Sequence, residues 1–210
     1  MAGTLKVNRD GSWKTPSKLW YNVSGAWKEA NKAYCKINGA WVEIYSKITY
    51  FYNAGSAPNG GWTSVAALPS HYAYQDNKVA PTLSVGSSSV YAKSAAGTYA
   101  YTRGGSIYLP KTTITGNTLK ISVTNAFSHG NGGSAGAYLG FGLASSVSGA
   151  FATAAYSNIG SGYSNLTGTY SIDISSISGG SYYPFVSLTT SSSGSGTNPS
   201  YLTINAFWCE

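Results

Sequence analysis

A 14-residue pattern written three times constrains this chain more than any other feature. The copies read Lys6-Val7-Asn8-Arg9-Asp10-Gly11-Ser12-Trp13, then Trp20-Tyr21-Asn22-Val23-Ser24-Gly25-Ala26-Trp27, then Tyr34-Cys35-Lys36-Ile37-Asn38-Gly39-Ala40-Trp41. Each has a turn dipeptide ending in glycine, followed two residues later by tryptophan. Asp-Gly and Asn-Gly suit the type I′ turn, whose two central residues need positive φ. Each copy therefore reads as one tight β-hairpin, and residues 4–46 as a repeat array rather than a catalytic module. Strands are expected at 19–23, 26–29, 33–37 and 40–45. Trp20, Trp27, Tyr34 and Trp41 are seven residues apart, a spacing that suits one aromatic ribbon. Three such hairpins bury too little surface to be comfortable alone. The array, with Trp13, Trp20, Trp27, Tyr34 and Trp41 as its anchors, is expected to dock on the rest of the chain, on copies of itself or on a larger assembly.

After Ser46 lysine becomes rare and glycine and serine dominate, so residues 1–46 and 47–210 read as two units. Residues 48–52 open the second. Further strands are expected at 82–85, 89–92, 98–102, 106–109, 184–189 and 201–208. The clearest signal is alternation: Leu119, Ile121 and Val123 interleave with Lys120, Ser122 and Thr124, and Tyr170, Ile172 and Ile174 with Ser171 and Asp173. Leu139, Phe141 and Leu143 interleave with Gly140 and Gly142, which implies that a backbone or a ligand lies close on that face. Short strands, frequent turns and no helical period give an all-β chain: three hairpin repeats, then a jelly-roll-like β-sandwich. The glycine-rich stretches 128–136 and 191–200 are expected to be exposed, mobile tips.

Charged residues are only 9% of the chain, and its 30 aromatics oppose the disorder that 26 glycines and 33 serines would suggest. The net charge of +7 is uneven, with +5 in residues 1–47. Those lysines alternate with aromatics, so they read as the solvated face of hairpins rather than a nucleic-acid surface. No apolar leader follows Met1 and no stretch reaches the roughly 20 apolar residues of a membrane span. Cys35 and Cys209 read as free, buried thiols of a chain made in cytoplasm, with a bridge between them as the alternative.

Catalytic materials are thin. The second unit holds His71, His129, Asp76, Asp173 and Glu210. Asp76 and Asp173 are its only internal carboxylate pair, and Asp173 falls on the polar side of a strand. There is no nucleophile elbow, metal-ligand spacing or phosphate loop. No enzyme, no cofactor and no metal are expected. Sugars, by contrast, are held by aromatic faces with a few hydroxyl and amide hydrogen bonds. Trp62, Tyr72, Tyr74, Tyr99, Tyr101, Tyr156 and Tyr163 are the candidate glycan-binding residues, each with a plain packing role as the competing reading.

The repeat Trp-Tyr-Asn-Val-Ser-Gly-Ala-Trp-Lys-Glu, with Tyr-Cys-Lys-Ile-Asn-Gly-Ala-Trp-Val-Glu, resembles repeats of bacteriophage virion proteins, above all minor tail and tail-tip proteins. Tyr50-Phe51-Tyr52-Asn53-Ala54-Gly55 leading to Gly60-Gly61-Trp62 is similar to the opening of a β-sandwich in tail proteins of phages of Gram-positive bacteria, and 168–175 and 201–207 to its closing strands. The resemblance implies a non-enzymatic virion component at the tail tip or in a fibre. Its partners would be other virion proteins, further copies of itself in a trimer, and a host-surface glycan. A head decoration protein without receptor, or a carbohydrate-binding module of a secreted bacterial protein, are the rival readings.

Overall fold

The structure, a computed structural model, describes residues 5–9, 11–14, 16, 18–54, 61–69, 77–95, 103–128, 138–148, 151–161, 164–190 and 199–210. Its first part is three antiparallel hairpins: β1 (Val7–Arg9) with β2 (Ser12–Lys14), β3 (Trp20–Val23) with β4 (Ala26–Glu29), and β5 (Lys32–Ile37) with β6 (Ala40–Ser46). Ser24 and Gly25 have φ of 53° and 86°, and Asn38 and Gly39 of 50° and 84°. These are the positive values a type I′ turn requires. Asn22 Oδ1 accepts the Gly25 N–H at 3.0 Å, pinning one turn from the side.

The register places Trp13 opposite Asn8, Trp27 opposite Asn22 and Trp41 opposite Lys36, the same position in each hairpin. Each hairpin is a separate two-stranded sheet, and among the described residues none of its strands pairs with a strand of the sandwich. Among the described residues two links join the hairpin segments: the Leu5 N–H donates to Ile44 O at 2.8 Å, and Lys47 just beyond β6 pairs with Glu29 of β4 at 3.2 Å. Lys14, Lys28 and Lys36 are exposed, but so are Trp13, Trp27 and Trp41 beside them, so the lysines do not mark one wet face opposite a buried one.

The sandwich begins at β7 (Thr49–Asn53) and continues through β8 (Thr63–Val65), β9 (Asn77–Lys78), β10 (Thr82–Val85), β11 (Val90–Lys93), β12 (Arg103–Tyr108), β13 (Thr112–Thr113), β14 (Thr118–Ser128), β15 (Tyr138–Ser146), β16 (Ala152–Ser161), β17 (Ser164–Asp173), β18 (Ser181–Thr190) and β19 (Tyr201–Cys209). One sheet runs β10-β11-β19-β14-β17, with β7 taking over beside β19 where β11 ends. The other runs β16-β15-β18-β12-β8, with β13 beside β18 and β9 parallel to β12. Leu119, Ile121 and Val123 point into the interface, as do Leu139, Phe141 and Leu143 from the facing sheet. Phe207 joins the layers, meeting Phe51 edge-on at 5.5 Å and Phe141 at 6.2 Å. No helix among the described residues is long and apolar enough to cross a membrane.

Several expectations change. Strand β12 starts three residues before the expected 106–109, running through Gly104 and Gly105, and β16 was not expected at all. The strand expected at 98–102 lies outside the described residues, as do 129–136 and 191–198 of the two expected tips. Ser200, placed at the end of the second tip, is buried. Its N–H donates to Ser94 Oγ at 3.0 Å and Thr190 Oγ1 at 2.9 Å, and its hydroxyl to Thr189 O at 2.8 Å. This hydroxyl cluster fastens the starts and ends of β11, β18 and β19, and so one sheet to the other. Cys35 and Cys209 are both free. Cys209 is buried, but Cys35 is exposed, on a two-stranded hairpin that pairs with no further strand among the described residues.

Candidate functional site

Of the seven candidate glycan-binding residues, Tyr72, Tyr74, Tyr99, Tyr101 and Tyr163 lie outside the described residues. The other two are not together: Trp62 packs inward, while Tyr156, paired with Gly142 opposite the core-facing residues of β15, lies half-buried on the outer face of the β16-β15-β18-β12-β8 sheet. Trp62 is buried against Tyr52, edge to face at 6.0 Å. Tyr156 lies stacked beside Phe185 at 6.2 Å. Its ring also fills the slot that the sequence leaves at Gly140, where a Cβ would sit 1.9 Å from the Tyr156 hydroxyl. The close approach expected at Gly140 is thus met by the chain's own tyrosine. At Gly142 it is met by backbone, since a Cβ there would fall 2.1 Å from the Ala155 carbonyl oxygen.

The Tyr156 hydroxyl donates to Asn158 Oδ1 at 3.0 Å. Burial raises its pKa well above that of an ordinary tyrosine, with the Ser187 hydroxyl offsetting part of the rise. A raised value in the folded state means the neutral phenol's contribution to stability is complete below about pH 10, the ordinary tyrosine value, and is lost as pH climbs through the folded one. Tyr156→Phe should therefore lose less stability than the wild type between neutral pH and about pH 11. Urea unfolding at both pH values measures it, and identical losses would mean the phenol is not buried.

An aromatic strip that the sequence reading missed lies on the outer face of the β10-β11-β19-β14-β17 sheet. In β11, Val90 and Ala92 are buried while Tyr91 and Lys93 point out. In β19, Leu202 and Ile204 are buried while Tyr201 and Thr203 point out. Tyr201 is paired with Lys93 on one side and Phe127 on the other. Its ring stacks on Phe127 at 5.6 Å and lies 6.2 Å from Tyr91. Three rings from three strands thus form one platform. Farther along the same face, Trp208 stands between Tyr50 of β7 and Lys120 of β14. Its ring is 5.9 Å from that of Tyr50, and its Nε1–H donates to Glu210 Oε2 at 3.2 Å. Glu210 also pairs with Lys120, so charge at this second cluster is neutralised.

Two β-bulges make the strip. Tyr201 and Trp208 are an odd number of residues apart, as are Thr124 and Phe127, so in regular strands each pair would face opposite ways. The ladder between β14 and β19 slips between Ser122 and Val123, where Asn205 is the extra residue of β19, and again between Thr124 and Phe127. The ladder between β14 and β17 slips between Val123 and Ala126, around Asn125, whose φ is +51°. Each slip turns the strand over by one residue and brings the later aromatic to the outer face, the re-aiming for which bulges are used. Asn205 Nδ2 donates to Thr124 Oγ1 at 3.4 Å, bridging the two bulges.

Between the aromatic clusters the surface is hydroxyl and amide: Thr203, Thr124, Ser122 and Asn205. Lys93 has no acid partner among the described residues, whose four carboxylates are taken up by Lys47, Lys32, Lys120 and the backbone N–H of Ser175. Burial, and then the neighbouring Tyr201, raise the pKa of the Tyr91 phenol, so it stays a neutral donor. Asp173, the described half of the carboxylate pair, has its pKa lowered by hydrogen bonds from Ser175. A general acid needs the opposite shift. Asp76, His71 and His129 lie outside the described residues. Clustered rings with flanking hydroxyls, an amide and an ammonium that has no acid partner among the described residues can hold a ligand that is hydrogen-bonding on its edges and apolar on its faces.

No protein-family model matches the sequence, and no curated protein matches it. Similar solved structures include a mutant of a family 29 carbohydrate-binding module made to probe ligand recognition, at a TM-score of 0.40 and 12% identity, covering 79% of this chain and 92% of that one. They also include the glycoside hydrolase domain of Endo-D from Streptococcus pneumoniae, at a TM-score of 0.40 and 12% identity, covering 77% of this chain and 21% of that one.

Proposed function

We propose that this chain is a non-enzymatic component of a tailed-phage particle, at the tail tip or in a fibre, and that its sandwich binds a glycan of the host surface. The observation that carries the binding half is the Tyr91–Tyr201–Phe127 platform with its flanking hydroxyls. Tyr91 and Tyr201 are aimed outward, and a bulge brings Phe127 out beside them. The assembly half rests on the hairpin array, whose repeated tryptophans stand out from the chain, and on its resemblance to tail-protein repeats. A carbohydrate-binding module of a secreted protein could use the same platform, but would have no need of the tryptophan array. In the particle, the array holds the chain to other virion proteins and to copies of itself, and the sandwich faces outward.

The test is co-sedimentation of the purified chain with cell walls of Gram-positive bacteria. Tyr201→Ala, which removes the central ring of the platform, should weaken retention at least about tenfold, the 1.4 kcal/mol or more expected for a hot-spot aromatic. Retention that is unchanged by Tyr201→Ala, or no retention on any wall, removes the binding half.

A further inference from the structure

We infer that the ligand is an internal stretch of a linear polysaccharide lying along β19 and touching both aromatic clusters at once. This rests on the glycan-binding reading above and goes on to name the kind of glycan. Tyr201 and Trp208 stand on the same face of the same strand, seven positions apart. At about 3.3 Å per residue that is roughly 23 Å, a span of several sugar rings and far more than one terminal sugar could cover.

Everything between the clusters suits a chain passing over it. The outward residues there are Thr203, Asn205 and Ala206 of β19, with Thr124 and Ser122 beside them. None is large enough to block the path and four of the five offer hydrogen bonds. The bulges supply the second reason. Without the slip at Asn205, Trp208 would be turned into the core and Tyr50 would stand alone on the surface; with it, the strip has two ends. Lys93, beside Tyr201 and without an acid partner among the described residues, favours a polymer that carries acidic groups.

Two contacts on one ligand convert the second into an intramolecular step, so affinity should rise steeply once a fragment is long enough to reach both. The test uses the full chain and size-graded fragments of linear polysaccharides, neutral glucan and polygalacturonate, beside host-type wall polysaccharide. For a polymer that binds, Tyr50→Ala and Trp208→Ala should each weaken binding about tenfold while leaving short fragments unaffected, and Tyr201→Ala should weaken both. Tyr50 is exposed on a surface strand, so its variant reports on the second cluster even if Trp208→Ala does not fold. Equal affinity for short and long fragments overturns the two-cluster inference and leaves the glycan reading standing, as does polymer binding that Tyr50→Ala and Trp208→Ala do not touch. Binding of no polysaccharide removes both.

Discussion

Gly105→Ala should be among the most damaging single methyl groups that can be added to the sandwich. Its Cβ would fall 2.4 Å from the carbonyl oxygen of Val79 and 2.6 Å from that of Val65, with Pro81 Cδ at 2.7 Å. None of these is the free end of a side chain that could swing away. Val65 is the last residue of β8, and Val79 follows β9 and is itself held by a bond from its N–H to Gly104 O at 2.9 Å. Both short strands lie along one edge of β12, so relief of the clash means letting go of that edge. Overpacking usually costs about 1–3 kcal/mol; with two fixed carbonyls in the way, the upper end of that range or beyond is expected. For a chain of this length about 3 kcal/mol lowers the melting temperature by roughly 10 °C. Gly168→Ala is the control, since the nearest atom to its Cβ is Tyr170 Cε2 at 3.9 Å. A Gly105→Ala protein that melts with the Gly168→Ala one would mean that β8 and β9 do not hold this edge.

The same glycine shows what local pattern can and cannot say. The hairpins were legible because a type I′ turn is a local demand: two residues at positive φ, written as Ser-Gly and Asn-Gly between short strands. Strands such as β14 were legible where one face is buried and the other wet, since that writes an alternation into the residues. Gly104-Gly105 falls in the gap between the strands expected at 98–102 and 106–109, and glycine usually weakens a strand. The pair lies inside β12 because β18 at Gly104, and the chain around β8 and β9 at Gly105, pass too close for any side chain, and that closeness is tertiary. Strand β16 was invisible for a related reason. Its Ala-Thr-Ala-Ala-Tyr-Ser-Asn run has little β preference, and its ladder with β15 slips three times, which scrambles the alternation that would have marked it.

Of the aromatics singled out from the sequence, the two that are described, Trp62 and Tyr156, make packing contacts, and the proposed platform comes from residues not singled out. Tyr91 and Tyr201 could have been found by parity, since each sits beside buried aliphatics on the polar side of its own strand. Phe127 and Trp208 could not. A bulge reverses parity beyond it, and nothing in the residues around Asn205 announces one. Gly140 and Tyr156 looked like two separate hints of a ligand; they are one packing unit, each explaining the other.

On the proposal that the array anchors the chain in a phage particle, replacing Trp13, Trp27 and Trp41 together by serine should abolish assembly while leaving the sandwich as stable as before. These rings are 67%, 69% and 72% exposed, an unusual state for the largest apolar side chain. Three tryptophans exposed to that degree leave on the order of 400 Å² of aromatic surface in water, and covering it is worth about 10 kcal/mol before the costs of association. They hold the same register position in three successive hairpins, so a partner that repeats at the same interval, or the array of a second copy, can cover them together. The hairpins do not need the rings to form, because the turns at Ser24-Gly25 and Asn38-Gly39 set the strand register by themselves. The sandwich does not need them either, since among the described residues its sheets close without a strand from the array. Sedimentation of the purified chain should show the wild type as an oligomer, with the trimer expected, and the triple variant as a monomer; mass spectrometry of purified particles should find the wild type and not the variant. If the variant melts well below the wild type, the rings belong to the fold, and if it enters particles normally, the array is not the anchor.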